Sequence, residues 1–111
     1  PYTTLFHLEL SLIAKDSIDS YVNEFNQWMK SLKVDNTIKD LNNRCRDIKD
    51  EYLGYITKKI DLNERDKEIL EKMLFGALKK VVKEPILNLK ELKDEDEINI
   101  YIKSVNELFK F

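Results

Sequence analysis

The sequence has few residues that break or bend a chain: two glycines and two prolines in 111 residues. That scarcity of breakers points to long uninterrupted helices. Cysteine is nearly absent, with Cys45 alone, so no internal disulfide forms and a reducing cytoplasm is the expected setting. Histidine is also single, at His7. One His and one Cys supply neither a metal-ligand spacing nor a Cys-His nucleophile pair, and His7 is expected at the surface or in packing. There is no Gly-rich phosphate loop and no GxGxxG fingerprint. No apolar run reaches the 18 or so residues of a membrane span, so no membrane partner is expected. Nor is there a basic excess. The formal charge is −2, against the positive balance of a dedicated nucleic-acid binder. No catalytic residue, metal site or cofactor site is expected in these residues. No secretory signal pattern is visible. The chain opens on Pro1 rather than Met, so it is expected to be either processed or a piece of a longer protein.

What is present is charge and periodicity. Charged residues make up 36% and apolar residues 42%, a composition of long amphipathic helices. The clearest stretch is Asn63 to Lys90. Its apolar residues come in pairs four apart: Ile69-Leu70, Met73-Leu74, Ala77-Leu78 and Val81-Val82. Two adjacent apolar positions per turn give a stripe wide enough to be covered from two sides. Asn63 suits the N-cap, with Glu64 and Asp66 in the first turn. Pro85 is expected to stop or kink the helix. Gly76 inside it costs about 1 kcal/mol against Ala. That cost makes sense where another helix packs close, the alternative being a tolerated glycine on an exposed face.

Upstream, Ile18, Tyr21/Val22, Phe25, Trp28/Met29 and Leu32 recur at helical spacing, and a helix is expected from about Thr4 to Lys33. At 1.5 Å per residue it is about 45 Å long, whereas a compact globule of this length is roughly 34 Å across. Its apolar stripe then needs another domain or chain to cover it. Val34-Asp35-Asn36-Thr37 is expected to interrupt the helix, with Asp35 as the cap of the next one. That helix carries a narrower seam, Ile38, Leu41, Cys45, Ile48, Tyr52 and Tyr55/Ile56, with Cys45 as a small buried hydrophobe. After Pro85, Ile86, Leu87, Leu89 and Leu92 suggest a turn or two of helix. Asp94 caps a last helix bearing Ile98, Tyr101/Ile102, Val105 and Leu108/Phe109, and the apolar end at Phe109 and Phe111 is expected to be docked.

The fold expected is therefore all-α: a multi-helix bundle with a long N-terminal helix (residues 1–33) and a helical domain (34–111), completed by dimerisation. The interface expected is the stripe Leu70, Leu74, Leu78 and Val82 with the aromatic and terminal positions Phe25, Trp28, Leu108 and Phe109. The same residues also serve as an intrachain core, and in an intertwined helical dimer the two roles merge. Two other readings remain: a helical adaptor that binds a partner helix, and an auxiliary nucleic-acid contact through Lys79, Lys80, Lys83 and Lys90 or Arg44 and Arg46.

Four segments together resemble the C-terminal dimerisation domain of glutamyl-tRNA reductase. Phe25-Asn26-Gln27-Trp28-Met29-Lys30-Ser31-Leu32 is similar to the end of the family's spinal helix. Thr37-Ile38-Lys39-Asp40-Leu41, continuing through Ile48 and Glu51 to Leu53, is similar to its "P-x-I-x-x-L-R" helix. Leu78-Lys79-Lys80-Val81-Val82 with Pro85 and Leu89-Lys90 resembles its "N-K-L-L-H-x-P…L-K", and Leu108-Phe109 its closing helix. The resemblance covers residues 18–111. Asn36 stands where the family usually has Pro, Lys83 where it usually has His, and residues 1–16 are more apolar than a polar spine. The resemblance implies a homodimer. It implies a parent enzyme, cytoplasmic, that reduces the glutamyl group on tRNA(Glu) to glutamate-1-semialdehyde with NADPH on the way to haem and other tetrapyrroles. The catalytic Cys and the NADPH-binding Rossmann domain lie elsewhere in that enzyme, so Cys45 inherits no catalytic role and this piece is inactive by itself.

Overall fold

The structure is a computed structural model that describes residues 2–111, with side chains from Thr4 onward. Three helices follow one another: α1 (Tyr2–Lys59), α2 (Glu64–Glu91) and α3 (Glu95–Phe109). No strand occurs among the described residues. Internal contacts divide the chain into two units, Pro1–Lys33 and Val34–Phe111.

The interruption expected at residues 34–37 is not there, and Asp35 is no cap: α1 runs through it for 58 residues. Val, Asp, Asn and Thr are only mediocre helix formers, at most about 0.7 kcal/mol each below Ala, and none is a breaker. Burial outweighs so small a preference. Thr37 is buried one turn before Leu41, the best-buried residue of α1. Of the stop or kink expected at Pro85, the stop does not occur: α2 continues past it to Glu91, which makes the helical turns expected after Pro85 part of the same helix. A proline inside a helix costs about 3 kcal/mol and removes one hydrogen bond. Downstream, Ile86 packs on the core and Leu89 is fully buried, and burying such side chains contributes about 1.5–3 kcal/mol each. The Tyr101 hydroxyl of α3 also donates to the Pro85 carbonyl at 2.8 Å, holding the last turns of α2 in place.

The helix starts are set locally. The Asn63 side chain accepts from Asp66 N at 2.8 Å, and the Asp94 side chain accepts from Glu97 N at 3.1 Å. Acids crowd both first turns, where the helix dipole favours them. α3 ends at Lys110, whose left-handed backbone (φ 56°) lets Phe111 N bond back to Asn106 O at 3.0 Å. That turn brings Phe111 onto Phe109, rings stacked at 5.9 Å, with the Arg44 guanidinium 4.9 Å from the Phe111 ring centre. Of the apolar end, Phe109 is thus docked on the core, while Phe111 stacks on it and stays 43% exposed.

In the second unit the core is small. Leu41 and Cys45 of α1, Val82 of α2 and Val105 of α3 meet at its centre. Phe75, Leu78, Ile86, Tyr101 and Phe109 surround them. The Cys45 thiol donates to the Leu78 carbonyl at 3.5 Å. Burial pushes its pKa up, only partly opposed by the charge of Lys79. It behaves as the small buried hydrophobe that its place on the seam implies. Phe75 collects cations from both helices, with Lys79, Arg46 and Lys49 between 5.3 and 5.8 Å from its ring centre. Lys49 is mostly covered and joins α1 to α2 by pairing with Glu71 at 2.9 Å while also holding Asp50 at 2.7 Å.

Candidate assembly surface

A folded unit normally hides its large apolar side chains. This chain leaves many in the open, and they fall in patterns. In the first unit Leu5, Phe6, Leu8, Leu12, Ile13, Ile18, Tyr21, Val22, Phe25 and Trp28 are all exposed. Phe25 and Trp28 lean on each other with ring centres 5.9 Å apart, one turn of α1 apart, and both remain more than half exposed. His7 is exposed beside Phe6. In the second unit Tyr52 and Tyr55 of α1 form an exposed edge-to-face pair at 5.5 Å, and Ile100 and Leu108 of α3 point outward, Leu108 being 78% exposed.

α2 divides its wide stripe between two jobs. Val82, Leu78, Phe75 and Leu89 turn inward. Leu70 and Leu74 are half-buried, while Ile69, Met73, Ala77 and Val81 face out, Met73 and Val81 at 69% and 70% exposed. The row Leu70, Leu74, Leu78, Val82 steps four residues at a time in a helix of 3.6 per turn, so it drifts about 40° with each step. It therefore starts at the rim of the outward face and ends in the core. Among the positions expected at an interface, Phe25, Trp28 and Leu108 are exposed, Leu70 and Leu74 lie at a rim, and Leu78, Val82 and Phe109 pack in the chain's own core. Met73, Ala77 and Val81 belong with the outward group, and their spacing along the same stripe was the signal for them.

A cationic groove of about 320 Å³ runs between α1 and α2 in the second unit, lined by Asn42, Gly76, Lys79, Lys80, Lys83 and Lys90 among others. Nothing lies within 4 Å of the place where a Cβ on Gly76 would sit, so Gly76 occupies open surface in this chain and no helix of its own packs there. The Asn42 Oδ1 is buried without a hydrogen-bond partner. The structure thus gathers the four lysines singled out from the sequence. Arg44 and Arg46 lie elsewhere, on the rings of Phe111 and Phe75. Among the described residues no group of three or more His, Cys, Asp or Glu could hold a metal ion, and no helix is long and apolar enough to cross a membrane.

Residues 13–111 match the family model of the glutamyl-tRNA(Glu) reductase dimerisation domain. The chain belongs to that family. A glutamyl-tRNA reductase of Clostridium novyi (strain NT) is 99% identical over 103 residues, covering 93% of this chain and 25% of the relative. Glutamyl-tRNA reductases of Nitratidesulfovibrio vulgaris and Cytophaga hutchinsonii are 34% and 32% identical, over 76% and 87% of this chain and 19% and 22% of their own length. The dimerisation domain thus spans about a quarter of the curated relatives that it matches. No solved structure matches it. The match takes in both units from residue 13, so the bare helix and the three-helix core belong to one family pattern.

Proposed function

We propose that this dimerisation domain is the assembly module of a glutamyl-tRNA reductase, pairing with a second copy of itself and holding two catalytic halves together. The observation that carries this reading is the small three-helix core beside an unusually large exposed apolar surface, in a chain of this family. Large apolar side chains left exposed in a helical pattern mark an interaction surface, and most symmetric assemblies are two-fold dimers with one patch used twice. Residues 1–33 act as the spinal segment that leads to the rest of the enzyme. The parent enzyme reduces the glutamyl group of its tRNA to glutamate-1-semialdehyde with NADPH, in the cytoplasm. The thioester-forming Cys and the NADPH site lie outside these residues, and this piece supplies assembly without chemistry. Sedimentation equilibrium over a dilution series, with circular dichroism alongside, tests the reading. A helical dimer that dissociates on dilution is expected, and a well-folded monomer at micromolar concentration overturns it.

The lysine groove favours a second role, a contact to the phosphates of tRNA(Glu) through Lys79, Lys80, Lys83 and Lys90. Its support is that four cations converge there and that Lys80, Lys83 and Lys90 make no ion pair among the described residues. Phosphate contacts make binding fall steeply with salt. Titration of tRNA(Glu) into the chain at 50 and 200 mM salt tests it, and no salt-sensitive binding removes this role.

A further inference from the structure

One row of α2 keeps to a single face. Lys67, Leu70, Leu74, Ala77, Val81 and Glu84 follow at spacings of three, four, three, four and three, the alternation that holds a coiled-coil seam in one sector. Lys67, Ala77, Val81 and Glu84 are exposed and Leu70 and Leu74 half-buried, so the protomer covers this seam only in part. Its order is also reciprocal: read from either end it runs charge, apolar, apolar, apolar, apolar, charge, and the two charges are opposite.

We propose that this seam is the self-contact of the dimer: α2 packs antiparallel on α2 of a second copy, about a two-fold axis that crosses the seam between Leu74 and Ala77. The proposal rests on the assembly reading above and adds the surface that performs it. In that register Leu70 meets the partner's Val81 and Leu74 meets the partner's Ala77. Lys67 meets the partner's Glu84, and each pair occurs twice. A two-fold interface requires this reciprocity, in which residue i contacts j and j contacts i. The small Ala77 opposite Leu74 lets the two helices approach and interdigitate. Charge selects the direction. A parallel pair would set Lys67 beside Lys67 and Glu84 beside Glu84, with the helix dipoles aligned. The antiparallel pair sets opposite charges together at both ends and opposes the dipoles. A second copy is the occupant that this seam complements by construction, because the seam contains its own complement in reverse order.

Lys67 and Glu84 lie seventeen positions apart on one straight element, about 25 Å along its axis. They cannot touch within one protomer, so any coupling between them reports a second chain. The test is sedimentation equilibrium of the 111-residue chain carrying Lys67→Glu, Glu84→Lys, both together, and separately Ala77→Glu, with helicity recorded for each. Each single reversal is expected to raise the dimer dissociation constant about tenfold, and the double reversal to return it to within about threefold of the parent chain. Ala77→Glu, which places an unpaired charge mid-seam, is expected to raise it at least about a hundredfold with the protomer's helicity kept. A parent chain that dimerises while the single reversals and Ala77→Glu leave its dissociation constant unchanged overturns this seam and leaves the assembly reading standing. Weakening by the single reversals without rescue by the double likewise overturns it. A parent chain that stays monomeric overturns the assembly reading and this one with it.

Discussion

Replacing Leu41 by alanine removes the one side chain of α1 that is completely sealed from solvent at the point where all three helices meet. Its neighbours there are Cys45 from the same helix, Val82 from α2 and Val105 from α3. None of them can move in to fill the gap without pulling its own helix along. Leu→Ala changes at fully buried sites cost about 2.7–5.0 kcal/mol, the larger values where the site cannot collapse. With three helices bracing the site, about 4 kcal/mol is expected. A unit of about 80 residues has a total stability of roughly 4–12 kcal/mol, so the change removes a third of it or more. With a urea m-value of about 1–1.5 kcal/mol/M, the unfolding midpoint should fall by roughly 3 M. The assay is urea unfolding followed by circular dichroism at 222 nm, at one fixed chain concentration because self-association adds to apparent stability. Lys103→Ala is the control: exposed on α3 and outside the apolar surface, it should stay within about 0.5 kcal/mol of the parent. If Leu41→Ala moved the midpoint no further than Lys103→Ala, the three-helix core would not be what holds the second unit together.

Asn63→Ala and Asp94→Ala each remove a side chain that accepts from a first-turn amide, and each should cost about 1 kcal/mol in the same urea assay. The two caps share no partner, so the double variant should show the sum. The Cys45 thiol is buried and its pKa is raised by that burial, so iodoacetamide at pH 8 should label it only as fast as the core opens. Labelling in the folded chain at the rate seen in denaturant would contradict its placement. Lys49 is held above the ordinary lysine pKa by its hydrogen bonds to Asp50 and then Glu71. A group raised on folding contributes below its unfolded value, about 10.4, and loses that contribution as pH climbs through the folded value. The stability gap between the parent and Lys49→Met should therefore be level from pH 7 to 9 and shrink above about 10.4. A gap that shrank between pH 7 and 9 would contradict it.

The helix starts at Asn63 and Asp94 could be read from the sequence because a cap is a bargain among four neighbouring residues, and nothing distant alters it. The interruption expected at residues 34–37 and the stop that Pro85 could have imposed are different in kind. Each weighs a local preference of about 0.5–3 kcal/mol against burial of residues that the local pattern does not place. Leu41 and Leu89 won those contests, and only the packing of α1, α2 and α3 shows that both are sealed. Gly76 was ambiguous for the same reason: a glycine in a helix signals close approach only if something approaches, and in the single chain nothing does. The surface was half legible. The width of the α2 stripe already implied covering from two sides. Choosing the row that steps by four led from the rim at Leu70 into the core at Val82, because such a row winds around the helix. The row that alternates three and four does not wind. It was equally present in the letters, but it becomes recognisable as a surface only once Val82 and Leu78 are known to face inward and Ala77 and Val81 outward. Assembly residues are harder to read than core residues on this account. Both are apolar at helical spacing, and what separates them is which sector of one helix its own chain has already covered.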